Sequence, residues 1–188
     1  MSADGTNSRT LAPSIDIQGV VGQSAVDWSP DGTRIVAGGM DANGPGLFMI
    51  PVDGGEPTRL VEAHAYNPVW SPKADLIVYA SGLGGGGGMS RLRGVSPDGT
   101  PMPMPELAVR NGGAHRFLPS GLGLVYLQTM ETTDFWLLDF ATKTTRPLTH
   151  LNDRGFLSTF DITPDGKYLV FDRTRQNSDV VLIDLPPK

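Results

Sequence analysis

Cysteine is absent from the 188 residues, which excludes disulfides, thiolate nucleophiles and thiolate metal sites. Basic residues are also scarce, because 15 lysines and arginines stand against 20 aspartates and glutamates, for a formal net charge of -5. This balance argues against nucleic acid or an anionic membrane surface as the main partner, since both bind basic faces. We therefore expect no nucleic-acid partner, and a fold stabilised by packing and hydrogen bonds alone.

Long apolar runs are missing as well. No stretch approaches the roughly 18 uninterrupted apolar residues of a membrane-spanning helix. The N-terminal residues contain neither the basic region nor the apolar region of a secretion signal. The sequence therefore predicts no membrane insertion, and it predicts a periplasmic location only if the chain is part of a larger exported or membrane-anchored protein.

Turn residues are abundant, with 24 glycines and 16 prolines spread at short intervals. Between them lie short apolar runs rich in β-branched and aromatic side chains, and no segment has the pattern of an amphipathic helix. This pattern is typical of many short strands joined by turns. It predicts an all-β fold, and a hydrophobic content of 39% is sufficient for one buried core.

A short motif with a proline at its centre recurs four times. The prolines are Pro30, Pro72, Pro119 and Pro164, which lie 42, 47 and 45 residues apart. This spacing is that of a four-stranded propeller blade. The first copy reads Trp28-Ser29-Pro30-Asp31-Gly32-Thr33, and its proline, aspartate and glycine are the residues that a tight hairpin requires. We interpret the motif as a hairpin rather than as a phosphorylation or metal site.

Predicted strands surround each copy of the motif. The second strands are predicted at 34–37, 76–80, 124–127 and 168–172, the third at 47–50, 92–95, 135–138 and 180–183, and the fourth at 57–60, 103–107 and 145–148. Aromatic residues take matched first-strand positions, at Trp28, Trp70, Phe117 and Phe160, where we expect them to pack between blades rather than to form a carbohydrate-stacking platform. The chain thus divides into a tail at 1–23 and repeats at about 24–62, 63–108, 109–150 and 151–188.

The motif and the following segment Val52-Asp53-Gly54-Gly55-Glu56-Pro57-Thr58-Arg59-Leu60 closely resemble the TolB-type, WD-like β-propeller repeat. That repeat also occurs in propellers of prolyl-oligopeptidase relatives and in sensor regions of bacterial kinases and transcription regulators. The resemblance implies an all-β propeller with four recognisable four-stranded blades. Because the motif is structural, the function it implies is general, namely a non-enzymatic module that binds a ligand or a protein as the sensory or scaffold part of a larger bacterial protein.

Two architectures remain open at the ends of the repeats. Residues 8–13 look like a fourth strand without its blade, and residues 179–185 like a third strand without its fourth. Pairing of these two segments would close a ring of four blades. The alternative is that the chain forms part of a larger propeller, since TolB-like rings usually have more than four blades. Self-association through the open blades is then expected.

Candidate ligand-binding residues lie where the repeat predicts the mouth of the central channel. They are His64, Arg110, His115, His150, Arg154, Arg173 and Arg175. The forked donors of arginine suit carboxylates, phosphates and acidic sugars. The expected partner at this mouth is therefore a protein or a small acidic or sugar ligand, and no cofactor is expected.

The three histidines support a rival, enzymatic interpretation. Three converging imidazoles can hold a divalent metal with open coordination positions, and a few propeller polysaccharide lyases with related repeats are thought to use such a site. His64, His115 and His150 would then form the centre of a metal-dependent polysaccharide lyase or hydrolase. Rings that are spread around the channel would instead favour the non-enzymatic binding module.

Overall fold

The computed structural model describes residues 6, 8–18, 25–82, 89–110, 114–128, 134–151, 157 and 159–172. Every regular element within these residues is a β-strand, and the strands form four antiparallel sheets, which we call blades 1 to 4. The prediction of an all-β fold is confirmed. In this part of the chain there is also no helix that could cross a membrane.

The strands follow one another in chain order. Blade 1 contains β1 (Asp16–Ile17), β2 (Val26–Trp28), β3 (Arg34–Asp41), β4 (Gly44–Pro51) and β5 (Thr58–Val61). Blade 2 contains β6 (Ala65–Trp70), β7 (Ile77–Ser81), β8 (Met89–Val95), β9 (Pro101–Met102) and β10 (Ala108–Arg110). Blade 3 contains β11 (His115–Phe117), β12 (Gly123–Leu127), β13 (Phe135–Asp139) and β14 (Thr144–Pro147). In blade 4 the described strands are β15 (Phe160–Ile162) and β16 (Leu169–Phe171).

The predicted second and third strands agree with the observed ones wherever both are described. The strand predicted at 180–183 lies outside the described residues, so the count of four complete blades stays a prediction. The strand predicted at 103–107 is wrong, because β9 and β10 pair with β8 on either side of that stretch. Pro103 and Pro105 have no amide hydrogen to give to a ladder, which explains the gap. β10 also crosses the repeat boundary predicted after residue 108.

The N-terminal segment covers one face of blade 1. Residues 8–13 are described but form no strand. Arg9 donates to the carbonyl oxygens of Val52 and Asp53, and Leu11 packs with the buried Phe48 and Ile50. A turn closed by the Ile15 amide on the Ala12 carbonyl, at 3.1 Å, then leads into β1, which pairs with β3. The expected partner of this segment, 179–185, lies outside the described residues, so the closing pair stays a prediction.

The repeated motif forms the hairpins from β2 to β3, β6 to β7, β11 to β12 and β15 to β16. In blade 1, the carboxylate of Asp31 accepts bonds from the hydroxyl of Ser29 at 2.6 Å and the amide of Thr33 at 3.0 Å. The Ser29 hydroxyl oxygen accepts the Arg34 amide at 2.9 Å, and Gly32 takes a φ of +70°. Thr163, Asp165 and Gly166 make the same turn in blade 4. The interpretation of the motif as a hairpin is confirmed.

A fifth copy of this turn, missed in the sequence analysis, joins β8 to β9. It is Ser96-Pro97-Asp98-Gly99, in which Asp98 again accepts the hydroxyl of Ser96 and the amide of Thr100. In the second repeat Ala74 occupies the glycine position with a φ of +62°. The turn chemistry is therefore independent of its place in the blade, and one copy carries backbone strain.

Adjacent blades share apolar interfaces, and alternate residues of each strand face opposite neighbours. We call the face of a blade that meets the preceding blade its leading face, and the face that meets the following blade its trailing face. Trp70, Phe117 and Phe160 lie buried in the three interfaces, as predicted. Trp28, which holds the equivalent place on the leading face of blade 1, is 52% exposed. The prediction of inter-blade packing is wrong for Trp28 alone, because no described blade lies against that face.

Exchanging Ala74 and Gly32 tests the strain in the turns. Ala74→Gly should stabilise the protein by about 1 kcal/mol, because an L-residue with a side chain is strained in the left-handed region. Gly32→Ala should destabilise it by about the same amount, and a Cβ there meets nothing within 4 Å, so only the backbone contributes. Urea denaturation of both variants measures the free energies of unfolding, and a destabilised Ala74→Gly would contradict the assigned turn.

The acid sensitivity of the first turn is a second prediction. Hydrogen bonds from Ser29 and Thr33 lower the pKa of Asp31 from 3.8 to about 2. The folded state therefore binds fewer protons than the unfolded state between these values, so stability from this turn is complete above pH 3.8 and lost as the pH falls through about 2. The difference in melting temperature between the wild type and Asp31→Asn should therefore shrink as the pH falls from 3.8 to about 2. A difference that stays constant over this range would contradict the hydrogen bonds assigned to Asp31.

Candidate functional site

Polar side chains from four blades lie along the innermost strands. β2, β6, β11 and β15 lie side by side, since β6 contacts both β2 and β11, and β11 contacts β15. In β2, β11 and β15 the residue just before the motif's first position is polar, and β6 adds one polar residue of its own. We call Asp27, Asn67, Arg116 and Asp161 the inner row. The propeller arrangement puts this row at the centre of the molecule, where loops from several blades converge.

Asn67 is the hub of the inner row. It is buried, it has a φ of +47°, and the pairing of β6 with β7 shifts register between Tyr66 and Val69. Its Nδ2 donates to Nδ1 of His115 at 3.2 Å, and its Oδ1 accepts Nη1 of Arg116 at 3.3 Å. A side chain in a strained backbone conformation that satisfies two groups of the next blade is typical of a functional position.

Arg116 connects blades 2, 3 and 4. Besides its bond to Asn67, its Nη1 donates to the carbonyl oxygen of His115 at 2.9 Å, and its Nε lies 3.9 Å from Oδ1 of Asp161. The Arg116 side chain is mostly covered, whereas that of Asp161 is 81% exposed. The guanidinium is thus held by the protein, whereas the Asp161 carboxylate accepts the amide of Ile162 at 2.8 Å and is otherwise exposed.

Asp27 joins blade 1 to blade 2. Its two carboxylate oxygens accept the amide of Trp28 at 2.9 Å and the amide of Trp70, in the next blade, at 2.7 Å. Burial raises the pKa of Asp27 above 3.8, and Asp161 adds to the rise, while the two amides and Arg116 oppose it. The inner row therefore carries two carboxylates and one guanidinium that influence one another's charge.

The candidates from the sequence analysis have different positions in the structure. His64 is partly buried, stacks on Tyr66 with a centroid distance of 6.0 Å, and shares a 3.2 Å hydrogen bond with its hydroxyl. His115 is fully buried beside Asn67, and His150 is exposed. Arg110 is the last residue of the outer strand β10, and its role as a candidate stays a prediction. Arg154, Arg173 and Arg175 lie outside the described residues, and their role stays a prediction.

The structure does not bring the three histidines together. His115 is covered by protein, and a ring nitrogen of His64 is engaged by Tyr66. Among the described residues, no group of three or more histidines or carboxylates is arranged to hold a metal ion. His64, His115 and His150 therefore do not fit the metal centre that the rival interpretation requires.

Two surface cavities lie away from the inner row. One, of about 190 Å³, borders the interrupted outer strands of blade 2 near Met104 and Leu107. The other, of about 290 Å³, lies between residues 10–14 and the turn that follows β4. The second is walled largely by prolines and turn backbone, whereas the first also carries Arg91, Arg93 and Glu106. In both, the lining comes from one blade or from the segment that covers it, whereas the polar groups of the inner row converge from several blades. We therefore place the candidate site at the inner row.

Neither a protein-family model nor a curated protein matches the sequence. The fold is similar to TolB from Acinetobacter baumannii, at 15% identity and a TM-score of 0.61, covering 79% of this chain and 37% of that one. A chain of the nidogen/laminin complex gives 14% identity, a TM-score of 0.58 and coverage of 86% and 58%. Oligogalacturonate lyase in complex with manganese gives 18% identity, a TM-score of 0.55 and coverage of 77% and 45%.

The chain has a TolB-like β-propeller fold, as the resemblance of its repeats implies. It spans between 37% and 58% of the length of these solved chains. At such low identities the likeness shows the fold alone. The three neighbours have different functions, so the function of this chain has to be argued from its own residues.

The inner row was missed in the sequence analysis although the sequence carries a signal for it. Asp27, Arg116 and Asp161 each stand immediately before the first residue of a repeated motif, at the same position in three repeats. Because strand side chains alternate, this position faces away from the apolar residue that follows it, which is Trp28, Phe117 or Ile162. Asn67 gives no such signal, because the irregularity in β6 is visible only in the strand pairing.

Substitution of Asn67 tests the hub. Asn67→Gly should destabilise the protein by about 1–3 kcal/mol, because buried partners on His115 and Arg116 lose a hydrogen bond. Asn67→Ala should cost a further 1 kcal/mol or so, because alanine is strained at a positive φ whereas glycine is not. Urea denaturation distinguishes the two effects, and equal stability of the wild type and both variants would exclude a structural hub at this position.

Proposed function

We propose that this chain is a non-catalytic binding module that holds a protein partner at its inner row. The observation that carries the proposal is the contrast between Arg116 and Asp161. The guanidinium is used inside the protein, by Asn67 and His115, while the carboxylate beside it is open. An exposed carboxylate that a backbone amide orients at 2.8 Å is suited to a basic or amide donor on a partner.

The charge of the inner row bears on the ligand class. Two carboxylates and one guanidinium give a negative balance, which disfavours a purely acidic ligand at this place. The whole chain is also acidic, with a formal net charge of -5. We therefore narrow the expected range of partners to a protein segment that presents a lysine, an arginine or backbone amides.

A non-catalytic role is favoured by how the polar groups are used. Asp27 is held by two backbone amides, and Asn67 and His115 are occupied with each other. A general base or nucleophile needs a proton or an attacking atom within reach of substrate. The mostly exposed group of the inner row is the single carboxylate of Asp161. One exposed carboxylate suits recognition of a partner better than general acid–base catalysis by a pair of groups.

A peptide selection tests this proposal. Random peptides displayed on phage and selected on the immobilised chain should be enriched in lysine and arginine. The selected peptides should bind Asp161→Asn at least about tenfold more weakly, because a charge-assisted hydrogen bond of 1.5–3 kcal/mol is lost. Isothermal titration calorimetry of synthetic peptides measures this change.

Glu106→Gln is the matched control, since it removes an exposed carboxylate from the outer rim of blade 2 instead of the inner row. Equal loss of binding in both variants would point to overall charge rather than to Asp161. Manganese-dependent release of unsaturated products from oligogalacturonate by the purified chain would instead support the enzymatic alternative and overturn a non-catalytic role.

A further inference from the structure

Two blade faces of the chain carry exposed apolar side chains that are buried elsewhere in the repeat. On the leading face of blade 1, Trp28 is 52% exposed, whereas its equivalent Trp70 is 4% exposed. On the trailing face of blade 4, Val170 is 62% exposed, whereas its equivalent Val36 is fully buried. The equivalence follows from the turns, because Arg34 and Tyr168 donate their amides to the matching hydroxyls of Ser29 and Thr163.

The interface between blades 1 and 2 shows what such faces bind. Val36 of the trailing face packs in one cluster with Trp70 of the leading face. The guanidinium carbon of Arg34 lies 5.2 Å from the centre of the Trp70 ring, at a distance suited to a cation–π contact. A trailing face of this repeat therefore already binds a leading face of the same repeat within this chain.

We propose that a second copy of this chain docks on blade 1, so that the trailing face of its blade 4 covers Trp28. Val170 of one copy then takes the place of Val36, and Tyr168 takes the place of Arg34 over the indole. The interface is heterologous, since it joins two different surfaces, and such contacts produce rings or filaments according to their geometry.

The extent of the docking surface is limited by the N-terminal segment. Ile15 and Leu11 already cover Phe48 and Ile50 of β4. These two residues lie on the same leading face as Trp28 but farther from the innermost strand. The exposed remainder is bordered by Ile17 and Val26, next to Trp28. Large exposed aromatics surrounded by smaller apolar groups are frequent centres of protein interfaces. The second copy therefore meets a patch centred on Trp28.

Complementation between two damaged copies tests the proposal. Trp28→Glu removes the leading surface, and Val170→Glu removes the trailing surface. Sedimentation velocity should show concentration-dependent association of the wild type, and each variant alone should remain a monomer. An equal mixture of the two variants should give a species of twice the monomer mass, because one intact leading face and one intact trailing face remain. The double variant should stay monomeric in every mixture.

Leu122→Glu is the control, because Leu122 is 55% exposed in a turn of blade 3 and lies on neither face. It should associate as the wild type does. Should circular dichroism show that either variant is unfolded, Val26→Glu is used instead of Trp28→Glu on the leading face, and Tyr168→Glu instead of Val170→Glu on the trailing face. A wild type that is monomeric at all concentrations, or a mixture that forms no heterodimer, would overturn the proposal. In the second case the contact is symmetric, or another chain covers Trp28.

Discussion

The hydrogen bond from the amide of Trp70 to the carboxylate of Asp27 joins two blades at the position where their inner strands meet. The indole of the same tryptophan lies under Arg34 and beside Val36, so one residue receives a polar and an apolar contact from the preceding blade. Each blade alone is a small sheet with two apolar faces, and such sheets are stable only when stacked. The order of the blades, the placement of the inner row and the exposed surfaces all depend on this stacking.

The inner row is a consequence of the same arrangement. The first residues of the four motifs, Trp28, Trp70, Phe117 and Ile162, face one neighbouring blade, so the residues before them face the other way. Three of these four preceding positions are charged in this chain, namely Asp27, Arg116 and Asp161. Their charges are balanced by contacts that cross between blades, from Asp27 to Trp70 and from Arg116 to Asn67 and Asp161. Packing therefore decides which polar groups are held by the protein and which one, Asp161, is mostly exposed.

Much of the fold could be predicted from the sequence, because turn chemistry and strand composition are local properties. Pro30, Asp31 and Gly32 identify a hairpin wherever they occur together, and the spacing of the motif identifies the blade. The outer strands of blade 2 could not be placed correctly, since Pro103 and Pro105 fit an edge strand in composition but interrupt its ladder in fact. The position of residues 8–13 depends on tertiary contacts of Arg9 and Leu11 that no local pattern reveals.

Less of the candidate site could be predicted. Histidines and arginines were predicted as ligand-binding residues because of their residue type. In the structure, however, His115 is buried and Arg110 ends an outer strand. Asn67 acts through a strand irregularity and a positive φ, which depend on register rather than on composition. Site residues that owe their role to contacts between blades become visible only when the blades are assembled.

The central claim is that the blades are joined in solution through Asp27 and Trp70. Nuclear magnetic resonance can follow the side-chain carboxyl carbon of Asp27 and the backbone amide of Trp70 through one pH titration. Because burial raises the pKa of Asp27, both signals should move together with a midpoint above 3.8. A Trp70 amide that does not respond while Asp27 titrates would show that this contact between the blades is absent.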